Sequence, residues 1–433
     1  MTIGAAVAAF RKDPVLVRLT PAVQHYGWGG REFIPRLIGV ANPQKKPFAE
    51  LWIGAHPKGP TLAELKGVSI TLADLVARSP GEALGPAAAA RFAGGLPYLL
   101  KVLDAANMLS IQAHPSRNQA EEGFARENAA DIPLDAPSRN YRDRNHKPEI
   151  HVALSEFWML HGFRPLEEIE AAMETVPEIG AALPDFSRRV AGAGWDPQAG
   201  RDVLCNLYEG IMTMAQDRVD RLLDPLLVRL EREASQDKDS PDYWALAASR
   251  AFALADGHRD RGIFSIYLLN LLHLRPGQGT FQPAGTLHAY LEGVNVELMA
   301  SSDNVLRGGL TPKHVDVREL LRTLSFDSSR PPILEGRQVS ETERAYEAPV
   351  EDFVLSKIEV AHGRVFEAGA AHGPDCLLVC EGTACAQCPS GAMEMPRGAA
   401  VFAPAGLPYS LEPGAEGASA VIFRAGVPLL TKS

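Results

Sequence analysis

The chain has 433 residues, too many for one hydrophobic core, so two or three domains are expected. Its 46% hydrophobic and 22% charged residues mark an ordinary globular protein, and a net charge of -10 argues against nucleic acid, which is bound by clustered Lys and Arg. No apolar run approaches the ~18 residues of a membrane span, and five cysteines, an odd number, give no disulfide framework, so the cytoplasm is the expected compartment.

At the N-terminus the apolar stretch 3–10 precedes its only basic residues, the reverse of a secretory signal, and reads as a frayed end. Residues 15–163 mix short apolar runs with Gly and Pro turns, as in LPYLLKVLDAANMLSIQAHP and EIHVALSEFWML. Such runs predict strands with a few short helices between them. Residues 164–260 turn helical. Pro165 sits where a first helical residue belongs, Glu167 and Glu168 fill the first turn, and Leu166, Ile169 and Met173 share a face. Leu204, Leu207, Ile211 and Met214 repeat that spacing in a second helix. The strand texture returns over 261–330 and continues through 331–433. The expected fold is therefore mainly β with an α insert: a jelly-roll barrel built from 15–163 and 261–330, a helical domain over 164–260, and a C-terminal barrel over 331–433.

One internal echo bears on the site. PAGTLH (283–288) and PAGLPY (404–409) each follow a β-like run and read as corresponding turns of two related barrels. The first ends in His288 and the second in Tyr409, so a metal site belongs in the first barrel.

Gln112 and His114 lie two apart in a predicted strand and emerge on one face. Glu149 lies in a second strand, KPEIHVAL, and His288 follows the first PAG turn. Two imidazoles, a carboxylate and an amide oxygen suit zinc and several other divalent metals, and leave a position open for substrate. His151 shares a strand face with Glu149, and periodicity does not separate the two.

The segments AELWIGAHPKGP, LLKVLDAANMLSIQAHPSR, NHKPEIHVAL and LHAYLEGVNVELMASSDNVLRGGLTPKHVDV run in order from residue 50 to 317. Together they resemble the type I phosphomannose isomerases, a zinc-dependent cupin family. The resemblance implies two cupin-like barrels, the second degenerate, and one zinc per chain held by Gln112, His114, Glu149 and His288, with Glu149 preferred over His151. It implies an aldose–ketose isomerase acting on mannose 6-phosphate and fructose 6-phosphate through an enediol, in mannose breakdown or GDP-mannose supply. VNVEL before the Ser-Asp-Asn motif, Leu287, the Gly308-Gly309 pair and the SRN after His114 depart from the commonest family forms, none at a proposed ligand.

Such a reaction needs a grip on the phosphate and a proton carrier. Arg307 and Lys313, around a Gly-Gly turn, are the first phosphate candidates, Arg offering a fork and Lys a point charge. Lys101, Ser110 and Lys147 are further substrate-binding candidates. Arg307 is the main catalytic candidate, with Glu297 and Asp303 as candidate bases. Cys376, Cys380, Cys385 and Cys388 fall close together, but the last two point to opposite faces of a hairpin, so core or surface roles are expected. Trp28 and Trp52 are expected in the core or lining the sugar pocket. Two rivals use the same donors: a non-haem iron oxygenase with a two-histidine, one-carboxylate triad, and a non-enzymatic sugar-phosphate-binding cupin. A small sugar phosphate is the expected partner in the main reading; no protein partner is predicted.

Overall fold

Strand alternation organises the computed structural model, which describes residues 1–428 apart from 183, 195, 255, 371, 372, 416 and 417. In Tyr98–Ala105, Leu100 and Val102 enter an apolar core while Lys101 and Leu103 face a cleft on the opposite side. Glu149–Ala153 repeats the pattern, with Ile150 and Val152 in the core, as does His288–Ala300, with Val296 and Leu298 in the core and Glu297 in the cleft. Antiparallel register sets Glu297 opposite both Lys101 and His151, and Lys101 opposite Trp52. Directly opposed residues share a face, so one face of this sheet is greasy and the other chemically active.

This sheet has ten strands and a second has twelve, both antiparallel. The core between them joins Leu100, Ile150 and Val296 from the first to Phe402, Leu378 and Phe423 from the second. Helix and strand occupy nearly equal shares, 30% and 31%, so helix extends well beyond the expected insert. The stretch expected to fray forms a helix, Ile3–Lys12, capped by Thr2, with Ala6, Val7 and Phe10 buried. Its apolar spacing is that of an amphipathic helix, and the shared core supplies the surface it needs.

Pairing also crosses the expected boundary at 330/331. Val17–Thr20 pairs with Ala400–Ala403, and Leu62–Leu65 and Val68–Thr71 extend the same sheet. A strand of four residues with one apolar face announces burial without naming the sheet edge that completes it. The insert packs helices Leu166–Thr175, Pro197–Met212, Gln216–Glu233 and Pro241–Ala251 into a core shared with Leu160, Leu287, Leu306 and Leu310 of the first sheet's strands and turns. Pro165 is the N-cap, one position before the expected start.

The two PAG turns correspond closely. Gly285 and Gly406 take φ of 79° and 77°, the left-handed region that favours glycine. The residue before each turn pairs with an acidic residue, Gln282 with Glu149 and Ala403 with Asp375. His288 and Tyr409 each open the strand that follows.

Tyr98 ties the two sheets together, its buried hydroxyl lying 2.9 Å from both the Pro374 and Ala425 carbonyls. Tyr98→Phe strands these acceptors and is expected to cost about 1–3 kcal/mol of stability in urea unfolding, with the catalytic constants unchanged.

Candidate functional site

Three of the four donors expected to hold a metal come together. His114, Glu149 and His288 are buried, with ligand atoms all within 4.8 Å of one another. His114 Nε2 lies 3.2 Å from Glu149 Oε1, and His288 Nε2 lies 3.5 Å from Oε2. Each imidazole is oriented from behind: His114 Nδ1 donates to the Asn304 carbonyl at 2.8 Å and His288 Nδ1 to that of Thr286 at 3.0 Å. A carbonyl can only accept, so both protons sit on Nδ1 and both Nε2 lone pairs face the carboxylate.

The charges agree. Burial lowers the His114 pKa, with the Lys147 ammonium adding to it, and lowers that of His288 to about 3. Burial works against the Glu149 charge, but the Lys147 ammonium, 3.0 Å from Oε1, leads the groups that outweigh it and hold the carboxyl well below its usual range. The result is two neutral imidazoles and one carboxylate converging, with Lys147 Nζ 3.0 Å from Glu149 Oε1 and 3.4 Å from His114 Nε2. Among the described residues His288 Nε2 has no hydrogen-bond partner. A divalent cation accepting two nitrogens and an oxygen resolves this arrangement, and the donor set fits zinc.

Gln112 sits beside this trio. Its short strand, Ile111–Ala113, lies between those of His288 and Arg307, and Gln112 is the register partner of both. Gln112 lines the cleft with Glu149. Gln282, which the sequence reading missed, donates to Glu149 Oε2 at 2.6 Å. Its position before the PAG turn was the available signal. His151 does not join the metal donors; its Nε2 contacts Met159 Sδ at 3.0 Å. The four C-terminal thiols form no donor group among the described residues, and Cys376 and Cys380 are core residues.

The cleft encloses about 390 Å³. Lys101, Ser110, Lys147, Glu297, Arg307 and Lys313 all line it. Lys101 Nζ bonds Glu297 Oε1 at 3.0 Å and lies 3.7 Å from Glu50. Burial disfavours the ammonium, but Glu297, Glu50 and Glu149 prevail and hold it above the usual lysine range. Glu297 accepts from the Tyr290 hydroxyl at 2.6 Å, and burial pushes its carboxyl upward against the pull of Lys101. At the other end, burial lowers the pKa of both Arg307 and Lys313; Arg142 adds to the first, and Arg307 and Arg142 to the second. Arg142 was missed because nothing in its local sequence connects it to the Arg307 motif.

Asp303 stands apart from this lining. Lys58 pairs with it at 2.8 Å and His56 at 3.5 Å, and together they overcome burial to hold it ionised far below the usual carboxylate range. Trp28 lines the cleft with Tyr26 stacked against it, whereas Trp52 is buried under the Lys101 ammonium.

Residues 16–166 match the family model for the phosphomannose isomerase type I catalytic domain. The mannose-6-phosphate isomerase of Salmonella typhimurium is 39% identical over 346 residues, covering 79% of this chain and 84% of its own. That of Homo sapiens is 35% identical over 431 residues, covering 95% and 98%. A solved Salmonella typhimurium mannose 6-phosphate isomerase, described as bound to the substrate f6p and zinc, aligns with a TM-score of 0.82 at 34% identity, over 96% of this chain and all of that one. No helix among the described residues is long and apolar enough to cross a membrane.

The geometry makes metal affinity sensitive to single donors. His288→Ala is expected to weaken divalent-metal binding about 100-fold or more, and Gln112→Ala about 10-fold, in competition with a chelator. Unchanged affinity in either variant removes that residue from the donor set.

Proposed function

The chain belongs to the type I phosphomannose isomerases, and from that premise we propose how its own residues carry the reaction. It is a zinc-dependent aldose–ketose isomerase that interconverts mannose 6-phosphate and fructose 6-phosphate. The observation that carries the reading is the cleft that joins a buried nitrogen–oxygen metal trio to a separate cluster of cations.

In this proposal His114, Glu149 and His288 hold the zinc, with Gln112 as a fourth donor. Bound zinc supplies Lewis-acid polarisation of the substrate carbonyl and hydroxyl oxygens. Arg307 and Lys313, reinforced by Arg142, take the phosphate, since they are the cations in the cleft whose charge burial leaves least compensated. Arg307 is also the register partner of Gln112, which supports a role for it beside the reacting carbons as well. Lys101, Ser110 and Lys147 line the remaining polar wall and contact the sugar hydroxyls.

Proton transfer between C1 and C2 falls to Glu297. Its carboxyl is raised by burial toward the range where it both takes and returns a proton, and Tyr290 and Lys101 fix its two oxygens. Asp303, bound to Lys58 and too acidic, serves to hold the cleft rim. The iron oxygenase reading is not favoured, because oxygen chemistry needs neither the amide donor nor the paired cations.

The finer architecture goes with this assignment. We read the ten-stranded sheet as the catalytic cupin of 15–163 and 261–330, the helices of 164–260 as its insert, and 331–433 as a degenerate cupin completed by N-terminal strands. We place the protein in the cytoplasm with a sugar phosphate as its partner.

A coupled assay is expected to convert mannose 6-phosphate to fructose 6-phosphate, to stop on chelation, and to recover with added zinc; conversion indifferent to chelation overturns the assignment. Arg307→Ala is expected to keep its zinc and lose about 100-fold or more in kcat/KM. Glu297→Gln is expected to keep zinc and lower kcat by about 10²–10⁴-fold; a near-normal kcat would move the proton to another group.

A further inference from the structure

We propose that Asp260, at the end of the helical insert, is a positioning residue that sets the loop carrying the phosphate-binding cations. The inference rests on Arg307 and Lys313 as that grip. Asp260 is buried and touches no substrate-facing surface itself. Its Oδ1 accepts from the Gly262 amide at 2.7 Å and the Leu310 amide at 2.9 Å, and its Oδ2 from the Thr311 amide at 3.0 Å. Three backbone donors thus converge on one carboxylate, two of them from the loop between Arg307 and Lys313.

The loop needs such an anchor. Leu310 holds φ of 53°, a left-handed conformation unfavourable to a leucine, and its side chain is fully buried. Gly309 precedes it at φ 118°. The backbones of Gly309 and Gly262 touch: a Cβ on Gly309 would lie 2.6 Å from the Gly262 Cα, and one on Gly262 would lie 2.6 Å from the Leu310 nitrogen. Thr311 Oγ1 then receives the Lys313 amide at 3.1 Å, which carries the conformation on to Lys313.

The neighbours of Asp260 explain its orientation. His258 pairs with Asp220 at 2.6 Å and Arg259 with Asp224 at 2.8 Å, while Arg261 donates to the Met212 carbonyl and to Gln216. All three bind the insert's own helices. Asp260 alone turns toward the catalytic sheet, so segment 258–261 straps the helical insert to the phosphate loop. The insert thereby acts on substrate affinity without contributing a cation to the cleft.

The test uses the zinc-loaded enzyme and inorganic phosphate as probe. Asp260→Asn keeps the shape but turns an N–H group toward one of the amide donors. It is expected to raise KM for mannose 6-phosphate and the inhibition constant of phosphate together by about 10-fold, with kcat within about threefold and zinc content unchanged. Gly262→Ala presses the same loop from the opposite side and is expected to shift both constants in the same direction. Lys313→Met is the control. If it raises the phosphate constant while neither Asp260→Asn nor Gly262→Ala does, the role given to Asp260 is wrong. If none of the three moves it, the phosphate assignment itself fails. A fall in kcat or loss of zinc at constant KM also overturns the proposal.

Discussion

A single buried charge makes the heaviest demand on this structure. Glu149 is almost wholly enclosed, and a carboxylate in that position is costly unless its oxygens are matched. Lys147 and His114 face one oxygen; Gln282 and His288 face the other. Lys147 precedes Glu149 on its own segment, His114 follows the strand Ile111–Ala113, and Gln282 and His288 flank the first PAG turn, so satisfying Glu149 requires several segments to be in register at once. A one-residue slip in any strand would send its polar partner into the apolar core and an isoleucine or valine into the cleft. Metal binding and correct folding are therefore linked demands.

The cleft is electrically divided. One end gathers Glu50, Glu149 and Glu297 around Lys101 and Lys147, an arrangement that fixes protons and holds a cation. The other end holds Arg307 and Lys313, with Arg142 near enough to act on both and no carboxylate among the groups that act most strongly on them. A molecule with an anionic tail and a polar, reactive head is held in one orientation by that gradient. The cost of bringing these cations together is met by backbone: a strained Leu310, a glycine contact and the Asp260 carboxylate.

The C-terminal half shows the same framework put to another use. Asp375 stands where Glu149 stands, opposite the residue before its PAG turn, and Tyr409 stands where His288 does. Tyr409 donates to Asp375 at 2.9 Å, and the Arg424 guanidinium lies 3.1 Å from the same oxygen. An internal cation thus neutralises the carboxylate that a metal serves in the first half. The result is a sheet that supports the catalytic one through a shared core and through Tyr98.

By itself the sequence determined the strand alternation, the helical character of the insert and the PAG echo, because each is written in short-range spacing, whereas most of the polar residues in the cleft came with its family-like motifs. Its motifs carried the family resemblance as well. Spacing did not separate Glu149 from His151, which share a strand face; the family resemblance preferred Glu149, and the tertiary structure supplies the physical difference, since Glu149 is the one that meets His114 and His288 across other strands. Only the tertiary structure tied Asp303 to Lys58, drew Arg142 and Gln282 into the site, and gave the N-terminal strands to the far sheet. It also turned Asp260 toward a loop fifty residues away. Pairing and burial join segments distant in sequence, and spacing along one segment holds no record of which partner it will meet.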